Sequence, residues 1–245
     1  MSRLLILDSV DSTNDYLKRE AAKLDEGTVV IANEQTNGKG RLGRSFYSPP
    51  SMGIYMSMLL RPDCAPLEAA TLTANAAVAV CKAIERVTPF KPDIKWINDI
   101  LLRGKKICGI LCESSITDHK LDYVIVGVGL NVITRVDDFP YELLKTAGSI
   151  YSQTGEVADR GKLILAIIEE LDAMYAAWQK NKSAYLEEYK SRCAMLGHEV
   201  DVYSAEGSDT VLAEDISEDF GLTVRYANGE KKTLHAGEVS IKLSF

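Results

Sequence analysis

Residues 93–132 read DIKWINDILLRGKKICGILCESSITDHKLDYVIVGVGLNV, and their reading decides the fold. Asp93 to Ile97 is a short strand. Residues 100 to 114 form a hairpin that turns at Arg103-Gly104-Lys105. Tyr123 to Val132 is almost continuously apolar, as expected of a strand buried in a sheet. Gly127 and Gly129 interrupt that strand, which marks a place where a backbone or a ligand comes close.

Working outward, Gly53 to Leu60 is a second near-continuous apolar run, and Thr28 to Ala32 is strand-like by β-branching. Residues 3 to 7 add a short apolar strand. Asp8-Ser-Val-Asp-Ser-Thr-Asn-Asp15 is rich in residues that cap helix N-termini, and Tyr16, Leu17, Ala21 and Leu24 follow at helical spacing. A helix over about 13–24, ended by Gly27, is predicted. Residues 67–87 are Ala-rich with few breakers and predict a long helix. Leu163, Ile164, Ile167, Ile168, Leu171, Met174, Tyr175 and Trp178 form a 3.6-residue stripe over Arg160–Lys180, read as core packing. A further helix runs to about Cys193. Beyond Gly197 short strands and turn signals at Glu206–Asp209 and Asn228-Gly229 predict a small β-barrel. The expected class is α+β, a mixed β-sheet flanked by helices, with domains at 1–196 and 197–245.

Of 245 residues, 46% are apolar and 26% charged, which are globular values. Such a chain buries roughly three quarters of its unfolded surface. No uncharged apolar run approaches the ~18–20 residues of a membrane span. The first eight residues are too short for a signal-peptide core. The net charge is −7, the wrong sign for non-specific nucleic-acid binding. It is unevenly spread. Residues 34–48 carry +2 and residues 91–107 carry +3, which leaves −12 on the rest. Two basic segments on an acidic chain point to a local anion site. Five cysteines at irregular spacing do not read as a disulfide framework, and a reducing cytoplasm fits. Cys108 and Cys112 read either as half a metal site or as buried thiols in an apolar strand.

Four segments can carry chemistry. Gly38-Lys-Gly-Arg-Leu-Gly-Arg44 puts three glycines and three cations into seven residues. It reads as an anion nest or as a solvated loop, and it has neither Walker nor dinucleotide spacing. In Lys95-Trp-Ile-Asn-Asp99 a regular strand would put Lys95, Ile97 and Asp99 on one face, while Asn98-Asp99 also reads as an ordinary turn. Lys105-Lys106 either points into a pocket or sits exposed in a hairpin turn. Asn131 lies inside an apolar strand, where a buried amide needs hydrogen-bond partners.

Together these segments resemble biotin protein ligases, the biotin–[acetyl-CoA-carboxylase] ligases, over essentially the whole chain. That family shows Ser-Thr-Asn near the start, a G-R-G-R-x-G-R loop, a K-W-P-N-D strand end, a K-x-x-G-I-L-x-E strand and a G-x-G-x-N strand. Here stand Ser12-Thr13-Asn14, Gly38 to Arg44, Lys95 to Asp99, Lys106 to Glu113 and Gly127 to Asn131, in that order. The resemblance implies a catalytic domain like those of class II aminoacyl-tRNA synthetases with a C-terminal SH3-like barrel. It implies biotin contacts from Ser12, Thr13, Asn14, Gln35, Lys39, Gly40, Arg41, Lys106 and Gly109, with Lys106 and Arg41 in the chemistry. It implies ATP or adenylate contacts from Arg44, Phe46, Asn98, Asp99, Asn131 and Lys242. Mg²⁺ would arrive with ATP, near Asp99. Three positions depart from the pattern: Lys39 replaces an arginine fork by a point charge, Ile97 replaces a proline, and Phe46 stands where a larger aromatic is usual.

The implied reaction joins biotin to AMP and then to a lysine of a biotin carboxyl carrier domain of a carboxylase such as acetyl-CoA carboxylase. Two anions meet in the first step, which suits the basic segments. Ser12 lies too near the start for the N-terminal DNA-binding domain that many relatives carry, so no DNA partner is expected. The lack of an apolar span gives the expectation of no membrane partner, and a homodimer is left open. Rival readings are a lipoate–protein ligase or octanoyl transferase, a small-anion or RNA-binding module, and an inactive biotin sensor.

Overall fold

In the computed structural model, residues 3–204, 207–235 and 238–241 are described. The chain opens with β1 (Leu4–Val10) and α1 (Thr13–Glu20), whose N-cap Ser12 accepts from the Asp15 amide. A 3₁₀ turn, Ala21–Lys23, extends α1, so the predicted helix is present with a tightened last turn. Then follow β2 (Val29–Gln35) and β3 (Gly53–Leu60). The predicted 67–87 helix is two pieces, α2 (Pro66–Ala69) and α3 (Leu72–Val87). Pro66–Val87 is long and apolar enough to cross a membrane by composition, and most of it is buried inside the protein. Next come β4 (Asp93–Lys95), β5 (Asp99–Leu102), β6 (Lys105–Thr117) and β7 (Lys120–Asn131). These seven strands form one mixed sheet in the order β1-β2-β3-β7-β6-β5-β4, with β1 parallel to β2 and the other neighbours antiparallel.

Alternation along the strands gives the sheet two different faces. Met56, Met58, Val126, Val128, Ile110 and Cys108 point to one side and join the main core with α3 and with α5 (Arg160–Lys180). Trp178 of α5 is fully buried and donates from Nε1 to Thr71 Oγ1 at 2.8 Å. On the opposite side Leu59, Val30 and Ile125 pack with Leu17 and Ala21 beneath α1. The helix covers only part of that face. The remainder, floored by Gly109, Gly127 and Gly129, carries the site.

After the short α4 (Ile150–Thr154) and α5, α6 (Leu186–Arg192) leads to β8 (Glu199–Ser204), β9 (Gly207–Ile216), β10 (Leu222–Arg225), β11 (Lys231–Leu234) and β12 (Glu238–Ile241). These five strands form a small antiparallel sheet, ordered β11-β10-β9-β8-β12, that begins two residues after Gly197. Val200, Ala213 and Val224 from it, with Phe220 of the β9–β10 turn, belong to the same apolar cluster as Ile94 and Trp96. The tail also holds the 93–99 segment from behind. Trp96 Nε1 donates to the Phe220 carbonyl at 2.8 Å, and Tyr189 Oη of α6 donates to the Ile97 carbonyl at 3.2 Å.

Candidate functional site

One cavity of about 550 Å³ lies on the uncovered part of the sheet. It gathers Ser12, Thr13, Asn14, Gln35, Lys39, Gly40, Arg41, Arg44, Phe46, Asn98, Asp99, Lys106, Gly109 and Asn131. These come from five separated stretches of sequence. Lys242, also predicted for the site, lies outside the described residues.

The first cluster is polar, uncharged and buried. Ser12, Thr13 and Asn14 occupy the N-terminal turn of α1 and are each less than 5% exposed. Gln35 Oε1 accepts from the Thr13 amide at 2.9 Å and from its hydroxyl at 3.1 Å, and Gln35 Nε2 donates to Ser48 Oγ at 2.9 Å. The Ser57 hydroxyl lies 2.7 Å from Thr13 Oγ1 and 2.6 Å from Asn14 Oδ1. Asn14 Nδ2 donates to Glu113 Oε2 at 2.8 Å. A buried network of this kind fixes the direction of every donor and acceptor and suits an uncharged polar group. Gly127 is required beside it, because a Cβ there would collide with Asn14 Oδ1.

The second cluster is charged. Lys106 Nζ lies 2.7 Å from Asp99 Oδ1. Simple alternation would put Lys106 on the face opposite Gly109, since they stand three positions apart. A register shift between Ile100 and Leu101 pairs Ile100 with Cys108 but Leu101 with Lys106. Ile107 is the extra residue of a β-bulge, and Ile107 and Cys108 both face the core while Lys106 turns to the cavity. The Lys106 stem then lies over Gly109, whose absent Cβ would sit 3.3 Å from Lys106 Cε.

Lys95 completes this cluster; the sequence places it in a candidate segment but assigns it no ligand. The strand expected over 93–97 stops at Lys95, and the chain turns through 96–98 so that Lys95 pairs with Asp99 across β4 and β5. Lys95 and Asp99 share the cavity face as predicted; Ile97 does not, because it sits in the turn. The Trp96–Ile97 peptide is cis. Burial holds the Lys95 ammonium below its ordinary pKa; Asp99 acts the other way, and Lys106 and Arg44 add to the lowering.

The Gly38–Arg44 loop is a small hairpin folded over the cavity. Gly40 N donates to Arg44 O at 2.7 Å and Phe46 N to Gly38 O at 2.8 Å, with Leu42 (φ 55°) and Gly43 (φ 74°) left-handed at its tip. Two side chains tie it down. Arg41 Nη1 donates to Asn98 Oδ1 at 2.9 Å, and Asn98 in turn donates to the Ile110 carbonyl at 3.0 Å. Lys39 Nζ lies 2.6 Å from Asp15 Oδ2. The Phe46 ring rests on the β6–β7 floor; a Cβ on Gly129 would lie 2.7 Å from Phe46 Cε1. Asn131 is buried, donates to the Gly148 carbonyl at 3.0 Å, and keeps Oδ1 without a protein partner. That orphaned acceptor lines the cavity and can receive an amino group.

The segment Phe139–Ala147 also lines the cavity and was missed from sequence. Its residues arrive through backbone bonds to Lys106, from Lys106 N to Thr146 O and from Gly148 N to Lys106 O, each 2.8 Å. Phe139 meets Tyr47 with ring centroids 6.2 Å apart. No local pattern announces these contacts. Among the described residues no three His, Cys, Asp or Glu gather as a metal site. Cys108 and Cys112 both face the core side of β6, and burial pushes both thiols up, Cys112 to about 12. Neutral thiols there behave as small apolar groups.

The family model for biotin/lipoate A/B protein ligases matches residues 6–131. The chain is 41% identical over 170 residues to the bifunctional ligase/repressor BirA of Bacillus subtilis, covering 69% of this chain and 52% of that protein, so it spans about half the length of such relatives. It is 32% identical over 244 residues to the biotin–[acetyl-CoA-carboxylase] ligase of Mycobacterium tuberculosis, covering 97% and 88%. The structure of biotin protein ligase from Aquifex aeolicus in complex with biotin and ATP superposes with a TM-score of 0.84 at 30% identity over 100% of both chains.

Proposed function

We propose, from the premise that this chain belongs to the biotin/lipoate A/B protein ligase family, that it is an ATP-dependent biotin–protein ligase. The observation that carries the reading is the meeting of two unlike clusters in one cavity. The Ser12–Asn14 turn and Gln35 suit the ureido head of biotin, and the Lys106 cluster suits a carboxylate beside a phosphate. The similarity to the Aquifex complex with biotin and ATP supports both ligands.

In the first step a biotin carboxylate oxygen attacks the α-phosphorus of ATP, the P–O bond to the β-phosphate breaks, and pyrophosphate leaves. Lys106 offsets the charge that builds up between the two anions, and Arg41 and Arg44 add to the positive field from the loop. Phe46 covers one side of the nucleotide and Asn131 Oδ1 accepts from the adenine amino group. In the second step a neutral lysine amine of a biotin carboxyl carrier domain attacks the acyl carbon. An amide forms, AMP departs and a proton is released. The closed loop keeps water from the anhydride between the two steps. Mg²⁺ would be held by the ATP phosphates; Asp99, the single carboxylate among the described cavity-lining residues, is the group that could reach it, and the ion would neutralise phosphate charge. Five free cysteines support a cytoplasmic location, and the net charge of −7 supports a role apart from nucleic acid.

The test is biotin-dependent exchange of labelled pyrophosphate into ATP, followed by transfer of biotin to a carboxyl carrier domain. Exchange and transfer with biotin are expected. Exchange with lipoate and none with biotin would overturn the reading.

A further inference from the structure

We propose that Asp15 is a positioning residue which, through Lys39, holds the glycine loop shut over the reaction intermediate. The inference rests on the ligase reading above. Asp15 is the third residue of α1 and sits next to Asn14 of the uncharged cluster. Its Oδ2 lies 2.6 Å and its Oδ1 2.8 Å from Lys39 Nζ, so one ammonium is engaged by both oxygens. The side chains are 18% and 38% exposed, and the contact raises the Lys39 pKa. Lys18, the other cation near Asp15, is satisfied by Glu113 at 2.6 Å. Lys39 is the second residue of the loop, and its backbone bridges Ser45 on the returning arm.

The site expectation assigned Lys39 to biotin. Lys39 lines the cavity, and its ammonium, engaged by Asp15, joins the loop to the helical turn that carries Thr13 and Asn14. A point charge can do this without the fork geometry of an arginine. The loop is therefore pinned twice: at its tip by Arg41 on Asn98 and at its base by Lys39 on Asp15. Losing the basal tie leaves Arg41 and the catalytic lysine in place. The loss falls on how long the adenylate stays enclosed, and the rate of its formation is spared.

The experiment compares the full chain with Asp15→Asn and with the swap Asp15→Lys plus Lys39→Asp. Release of preformed biotinyl-adenylate and biotin-dependent pyrophosphate exchange are both measured. Asp15→Asn is expected to release the adenylate about threefold to fivefold faster, the scale of a partly exposed ion pair, with exchange within about twofold of the parent. The swap is expected to return release to within about twofold of the parent. Unchanged release in Asp15→Asn, or a swap that releases no more slowly than Asp15→Asn, overturns the proposal. If the parent forms no adenylate from biotin, the ligase reading fails separately. Trypsin then decides the tie on the ligand-free chain: faster cutting after Arg41 or Arg44 in Asp15→Asn supports it, and equal cutting overturns it.

Discussion

The Lys106 ammonium and the Asp99 carboxylate meet at 2.7 Å from strands that pair out of regular register. Each group restrains the other at the floor of the cavity. Lys106→Ala removes the cation nearest the two reacting anions. It should lower biotin-dependent exchange by about a hundredfold or more, the usual scale for one electrostatic contact to a transition state. Exchange at the parent rate would remove Lys106 from the chemistry.

Lys95 gives the site a pH signature. Its folded-state pKa is lowered by burial first, with Lys106 and Arg44 adding to it. Between that lowered value and the ordinary lysine value near 10.4, the unfolded chain holds more protons than the folded one, so stability rises with pH across that window. Lys95→Met should flatten this rise, stabilise the chain at pH 7 and raise the KM for ATP. Urea unfolding at several pH values checks the first two effects, and a pH slope identical to the parent's would contradict them.

Gly129 and Gly127 separate binding from folding. The atoms nearest a methyl on Gly129 lie along the edge of the Phe46 ring, which can tilt away. Gly129→Ala should raise the KM for ATP about fivefold, the scale of one lost aromatic contact, with little change in Tm. A methyl on Gly127 meets Asn14, which Ser57 holds in a buried network. Gly127→Ala should weaken biotin binding and lower Tm together. Calorimetry and ATP kinetics on both variants distinguish the two cases.

Trp178 is fully buried, stacks on Tyr175 at 6.0 Å and donates to Thr71. Trp178→Ala should destabilise the chain by about 3–5 kcal/mol, as for other large-to-small aromatic changes in a core. Denaturant titration measures it.

Burial raises every cysteine thiol, Cys112 to about 12. At pH 8 a thiol raised in this way is held neutral, and the thiolate is the reactive form. Native protein should react slowly with iodoacetamide and take up five equivalents once unfolded in guanidinium. Rapid native labelling of Cys112 would contradict this.

Much of this was legible. The apolar run of β3, the stripe of α5 and the order of the site motifs carry local signals, and all of the predicted site residues that are described line one cavity. What escaped is non-local. The turn through 96–98 that takes Ile97 off the face shared by Lys95 and Asp99 is held from behind through Trp96 and Tyr189, with partners more than ninety residues away. The Phe139–Ala147 wall exists because its backbone bonds to Lys106, and no periodicity records that. The sequence pattern predicted one helix over 67–87, where Ala70 and Thr71 divide two.

The bulge at Ile107 makes the chemistry a matter of odd and even counting. At the same length but without the bulge, β5 and β6 could still pair in regular alternation, and the lysine, three positions before Gly109, would face the core side of the sheet. With Ile107 also removed, the lysine would stand two positions before Gly109 and return to the cavity face. The parity of this hairpin, taken together with its bulge, is therefore a sharper discriminator of competent from silent relatives than the presence of the lysine itself.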